Sequence, residues 1–171
     1  MKKLTTAIMI MALSMGLGFA QKYAFVDTEY ILNNIPSYKA AQDQLDQLSA
    51  DWEAEIKSMY DEVEMLYRSY QNDAVLLTQE MKKKREEQII EKEKQAKDLQ
   101  NKYFGREGDL FKKRQELIQP IQDEIYNAVK ELALEGNYAV IFDTAGSLTM
   151  LYTNPRYDLS DDVLDRLGYT N

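Results

Sequence analysis

Apolar and polar positions along most of this chain repeat with a helical period. After Tyr38, apolar or small residues fall at Ala41, Leu45, Leu48, Trp52, Ile56, Met59, Val63, Leu66 and Tyr70, steps of three and four that mark one helix face. The stripe is a narrow seam rather than a broad core face. Its one irregularity, Leu48 to Trp52 to Ile56, is a four-residue stutter that relaxes a supercoil locally. A second seam runs through Ala96, Leu99, Tyr103, Leu110, Leu117, Ile121, Ile125, Ala128 and Leu132, but between Lys82 and Gln95 only Ile89 and Ile90 are apolar. Residues 36–135 therefore predict two long helices folded back on each other at a turn over residues 72–78. The part nearest the turn, short of apolar stripe, is expected to be mobile.

Turn chemistry supports this division. Pro36 and Ser37 open the outgoing helix, Asn72 and Asp73 stop it, Thr78 caps the return and Glu80 suits its first turn. Leu76 and Leu77, in the apolar tip between, either staple the turn shut or grip something else. Gly105, Gly108 and Pro120 read as bends in the return helix. Equal pairing about the turn puts the start near Pro36 opposite residues 112–115, with Pro120 marking where the return helix leaves the hairpin.

The flanking segments are short. Residues 22–27 (KYAFVD) predict a strand carrying Tyr23, Phe25 and Val26, followed by a short helix capped by Asp27. Residues 138–143 (YAVIFD), with Val140, Ile141 and Phe142, and residues 148–153 (LTMLYT), with Leu148, Met150, Leu151 and Tyr152, predict two more strands joined by a hairpin loop. The first strand must find its partner at this far end. Ser160 is expected to cap a last helix over 161–167. The fold class is α+β, mainly α: a helical hairpin over 38–115 and a small β body from 21–37 and 116–171. So thin a core argues for oligomerisation.

Composition then removes whole classes of chemistry. The 171 residues include no cysteine and no histidine, which excludes disulfides, thiolate nucleophiles, histidine triads and most zinc sites. No glycine-rich phosphate loop or hydrolase elbow occurs, and acid pairs such as Asp61 and Glu62 read as solvated helix surface. No catalytic residue, metal site or cofactor is expected. Residues 1–20 carry Lys2 and Lys3, an apolar run and small residues before Gln21, the pattern of a cleaved secretory signal peptide. Cleavage leaves nineteen basic against twenty-nine acidic residues, a net charge of −10. That acidity makes nucleic acid an unsuitable partner.

Charge also divides the hairpin. Residues 38–73 carry three basic and nine acidic side chains, residues 82–114 twelve basic and seven acidic, and opposite signs favour pairing of the two halves. The densest positive run, Lys82, Lys83, Lys84 and Arg85, is either solvated surface or a contact for anionic clients or lipid headgroups. Tyrosine and methionine are abundant, and Tyr60, Met65, Tyr67, Tyr70, Tyr103 and Phe104 either widen the hairpin's packing or make adaptable contacts with apolar surfaces. Trp52, if buried against Leu99 and Tyr103, should cost about 3 kcal/mol or more when cut to alanine.

The order of elements, with the KYAFVD and YAVIFD strands and the segment FGREGDLFKKRQELIQPIQDEI at 104–125, resembles the OmpH-like family of periplasmic chaperones over nearly the whole chain. The resemblance implies a homotrimer whose strands assemble a central body from which three hairpins project around a cavity. It implies an ATP-independent holdase in the periplasm that encloses unfolded outer-membrane β-barrel proteins, with possible anionic lipid or lipopolysaccharide contact. The client-binding candidates are then Tyr60, Met65, Tyr67, Tyr70, Leu76, Leu77, Lys82, Lys83, Lys84, Arg85, Tyr103 and Phe104. The alternative is an exported coiled-coil adaptor that binds one folded envelope partner.

Overall fold

The computed structural model describes residues 21–146, 150 and 152–169. The expected signal peptide lies outside them. The chain divides into two units, one taking in the described residues up to Leu32 and from Ile125 onward, the other running from Asn33 to Glu124.

The second unit is the hairpin. Helix α2 (Pro36–Asp73) is unbroken, with Pro36 in its first turn, where its missing N–H is no loss. Helix α3 (Gln79–Phe104) begins at Thr78, whose hydroxyl accepts from the Met81 N–H at 3.2 Å. The glycines do more than bend the return: α3 stops at Phe104 and α4 (Asp109–Gly136) starts afresh. At Gly105 a Cβ would lie 2.3 Å from the Asn101 carbonyl oxygen, and at Gly108 one would lie 2.7 Å from that of Tyr103. Only glycine permits the chain to cross itself so closely. Pro120, by contrast, sits inside α4, which continues through it.

The pairing is offset from an equal-arm hairpin. Tyr60 meets Gln100 and Trp52 meets Tyr103, where equal arms would bring residues 90 and 98. Tyr70 already meets Glu86, so the offset originates in the turn. Ala74 keeps helical dihedrals and the Leu76 N–H donates to the Asp73 carbonyl at 2.8 Å, which carries the outgoing direction past Asp73 and delays the reversal. Away from the turn, Ala41, Leu45 and Ile118 form a buried cluster with Tyr38, Leu110 and Leu117 against it.

In the first unit, β1 (Lys22–Val26) pairs in parallel with β2 (Tyr138–Asp143). Parallel strands need a long crossover, here everything between them. The expected antiparallel partner of β2 over 148–153 is not formed by the described residues: Met150 and Tyr152 lie outside any strand, while Leu148 and Leu151 fall outside the description. The Thr144 N–H instead donates to the Val26 carbonyl at 2.7 Å, extending the pairing along β1. The sheet has one sealed face, with Ala24 and Val26 buried. The other face stays open, with Tyr23 at 46%, Val140 at 43% and Phe142 at 41% exposure. Phe142 lies 6.0 Å from Phe25 and 6.4 Å from Tyr23 between ring centres.

Short helices close this unit. Asp27 accepts from the Tyr30 N–H at the start of α1 (Thr28–Asn33), as its sequence position suggested. Ser160 is not the cap of α5 (Ser160–Arg166); it is the first helical residue, buried, donating to Asp158 at 2.6 Å and accepting from the Asp27 N–H at 2.8 Å. It ties α5 to the end of β1. Arg166 donates to Glu135 at 2.5 and 2.8 Å and to Glu131 at 3.1 Å, clamping α5 to α4. The hydrogen bond from Arg166 holds the Glu135 carboxyl below its ordinary range.

Candidate functional site

The hairpin's distal half holds most of the candidate residues, and the heptad explains their exposure. Counting back from Leu99 and Ala96 in steps of three and four, the seam positions of α3 are Lys92, Ile89, Arg85 and Lys82. Three of the four are cationic and cannot be sealed from water unpaired. Lys92 reaches Glu62 at 2.9 Å, while Ile89 with Val63 supplies the buried apolar positions of this region. A seam so thin leaves its neighbours outside.

At the tip, Val75 is 88% and Leu76 83% exposed, so Leu76 does not staple the turn; Leu77 is half-buried. Met65 and Tyr67 are exposed, Tyr60 is exposed but reaches across to Gln100, and Tyr70 lies half-buried. Tyr103 and Phe104 are absorbed differently. Trp52 stacks on Tyr103 with centroids 4.6 Å apart and planes 6° from parallel, and meets Phe104 edge-on at 6.3 Å. Trp52 is thus in the expected neighbourhood but half-buried, not sealed.

Tyrosines, more than ion pairs, bind the two arms together. Tyr103 donates to Glu55 at 2.9 Å, Tyr70 to Glu86 at 2.5 Å and Tyr60 to Gln100 at 3.3 Å. The carboxylate acceptors hold the Tyr70 and Tyr103 hydroxyls above the usual phenol range. Among the described residues, Lys92 with Glu62 is the one ion pair joining α2 to α3. Lys57 with Asp61, Arg68 with Glu64 and Lys83 with Glu87 all lie within one helix. The opposite charges of the two arms therefore form few ion pairs with each other, and what they add to pairing acts at longer range.

Within the positive run, Lys82 is half-buried, Lys83 approaches Glu87 at 3.9 Å, and Lys84 and Arg85 form no ion pair among the described residues. An open groove on the same half is lined by Lys84, Arg85, Lys92 and Leu66. On the hairpin, the exposed apolar residues Val75, Met81, Ile90 and Phe111 were not among the candidates. Ile90 was legible, since two adjacent residues 100° apart cannot both face a narrow seam and Ile89 takes it. Met81 and Phe111 likewise sit one position off it. Among the described residues no cluster of three metal-ligating side chains occurs, and no helix is long and apolar enough to cross a membrane.

Near its turn the hairpin is weakly packed and carries exposed apolar points. The family model for outer membrane protein (OmpH-like) matches residues 22–167, and the chain belongs to that family. It is 24% identical over 148 residues to the chaperone protein Skp of Yersinia enterocolitica, covering 86% of this chain and 87% of that protein. Its fold is that of a solved OmpH-like outer membrane chaperone from Caulobacter crescentus, with a TM-score of 0.67 and 12% identity over 86% of this chain and 83% of the other.

Proposed function

We propose that this protein is an ATP-independent holdase of the periplasm that keeps unfolded outer-membrane β-barrel proteins from aggregating, acting by binding and not by bond chemistry. The observation that carries the reading is the distal hairpin: Val75, Leu76, Met81, Ile90, Met65 and Tyr67 are exposed on a segment whose own seam cannot bury them. Scattered contacts of this kind are individually weak and collectively adequate, and they release a client when a better sink appears. Family membership supports the same reading.

The working assembly in this proposal is a homotrimer. Tyr23, Phe25, Val140 and Phe142 form an open aromatic sheet face that a lone chain leaves wet, and neighbouring copies would cover it. Of the other expected strand residues, Val26 is buried in the chain's own core and Ile141 shares its inward face. Contact with anionic lipid or lipopolysaccharide would fall to the cations near the tip.

The test is deletion of residues 63–92, assayed by solution mass and by suppression of aggregation when a urea-unfolded outer-membrane barrel is diluted in. A folded trimer that no longer holds the client is expected. Undiminished suppression would count decisively against the hairpin as the binding element.

A further inference from the structure

We propose that the exported chain begins with a pyroglutamyl residue, formed when the α-amino group of Gln21 closes onto its own side-chain carboxamide. This rests on the periplasmic reading and on the cut before Gln21 that the pattern of residues 1–20 marks. In the closure the Gln21 nitrogen attacks Cδ and an N–Cδ bond forms. The Cδ–Nε2 bond breaks, and ammonia leaves with a proton taken from the amine. Nothing is oxidised or reduced, and no co-reactant is needed. The positively charged terminus becomes a neutral lactam.

The start of β1 supplies what the reaction needs. Gln21 is exposed and precedes the strand pairing, which begins at Lys22 against Tyr138, so its backbone nitrogen is not committed to the sheet. The Tyr23 hydroxyl donates to Gln21 Oε1 at 2.9 Å. A donor there stabilises the negative charge that gathers on this oxygen as the amine adds to the carbonyl. The oxygen does not leave with the ammonia; it becomes the lactam carbonyl and still accepts from Tyr23. The surroundings favour the product. Gln21 lines an open groove with Lys22, Arg156, four aromatic rings and no carboxylate. Lys22 donates to the Gly136 carbonyl at 3.1 Å, and neither cation has an ion-pair partner among the described residues. An ammonium on Gln21 would add a third positive charge to that groove, beside the sheet face that neighbouring copies are proposed to cover. The lactam carries no charge and can be covered without that desolvation cost.

The test begins with the full chain, expressed with residues 1–20 and recovered from the periplasm. Its intact mass should lie one ammonia below that of residues 21–171 with a free terminus, and stepwise amino-terminal degradation should be blocked until a pyroglutamyl peptidase is applied. A free amine on Gln21, or a cut at another residue, would overturn the proposal and leave the export reading standing. A mass that retains residues 1–20 would overturn both. Gln21→Ala, which has no carboxamide, should show no loss of ammonia; a loss in that variant would place the change elsewhere and overturn the proposal. The part of Tyr23 is read from rates. Residues 21–171 are released with a free Gln21 from an amino-terminal fusion by proteolysis, and closure is followed by mass at neutral pH. Tyr23→Phe should slow closure by about threefold or more, less than a buried oxyanion donor is worth because the groove is open to water, and urea should bring both chains to one rate. Equal rates in the folded chains would overturn the assignment of Tyr23.

Discussion

Away from the turn the hairpin closes over Ala41, Leu45 and Ile118, whereas near the turn the same seam positions carry Lys82, Arg85 and Lys92. Both regions are continuous helix of similar period, so periodicity does not separate them. What separates them is how much apolar surface each heptad removes from water. One region is held by its core, the other by helix propensity, a few tyrosine hydrogen bonds and one ion pair. The surface proposed to bind clients lies on the second.

The sharpest way to break this comparison is a matched pair of truncations. Leu45→Ala, at 2% exposure, should destabilise the protein by about 3 kcal/mol in denaturant unfolding, because the surrounding cluster cannot collapse into the space. Ile89→Ala should cost about half of that, since its neighbours are solvated and can relax. Equal costs would mean that the distal seam packs as tightly as the other end.

The interruption between α3 and α4 offers the next contrast. Gly105→Ala places a methyl 2.3 Å from the Asn101 carbonyl oxygen, and about 2 kcal/mol of lost stability is expected, against under about 0.5 kcal/mol for an alanine at exposed Lys97. Thermal unfolding of both variants would decide it. Trp52→Ala should cost about 2 kcal/mol, less than a sealed tryptophan would, because its ring is stacked on Tyr103 but partly wet. A change under about 0.5 kcal/mol would contradict the register at this level.

Hydrogen exchange reads the comparison without mutation. Amides of 80–92 should exchange faster than those of 38–48 by about tenfold or more at neutral pH, reflecting cheaper local opening. The smallest effect concerns pH and the first unit. Because Arg166 lowers the Glu135 carboxyl in the folded state, the clamp on α5 is complete above the ordinary value of 4.5 and is lost as pH falls through the lowered one. Exchange at Val163 and Leu164 should quicken over that acidic range, and Arg166→Gln should remove the pH dependence.

Much of this was legible because helix and turn signals are local. The narrow seam, the stop at Asp73, the cap at Thr78 and the strands over 22–26 and 138–143 follow from spacing and capping chemistry within a few residues of each site. The errors share a cause. Residues 148–153 have strand composition, yet β2 takes β1 as its partner, and strand composition carries no information on which edge will be met or in which direction. Ser160 has the chemistry of a cap, but the Asp27 N–H reaches it from 133 residues away.

The amino-acid sequence alone determined the start near Pro36, the stop at Asp73 and the cap at Thr78, and which face of each arm is apolar, since these depend on side-chain identity and near neighbours. Only the tertiary structure decided the pairing offset, because it accumulates in the few dihedrals of the turn around Ala74. It alone decided that the glycines at 105 and 108 break the helix, because that depends on the backbone's approach to itself. And it alone decided that opposite charges on the two arms form few ion pairs with each other, because the facing of a side chain depends on how two helices are rotated against each other.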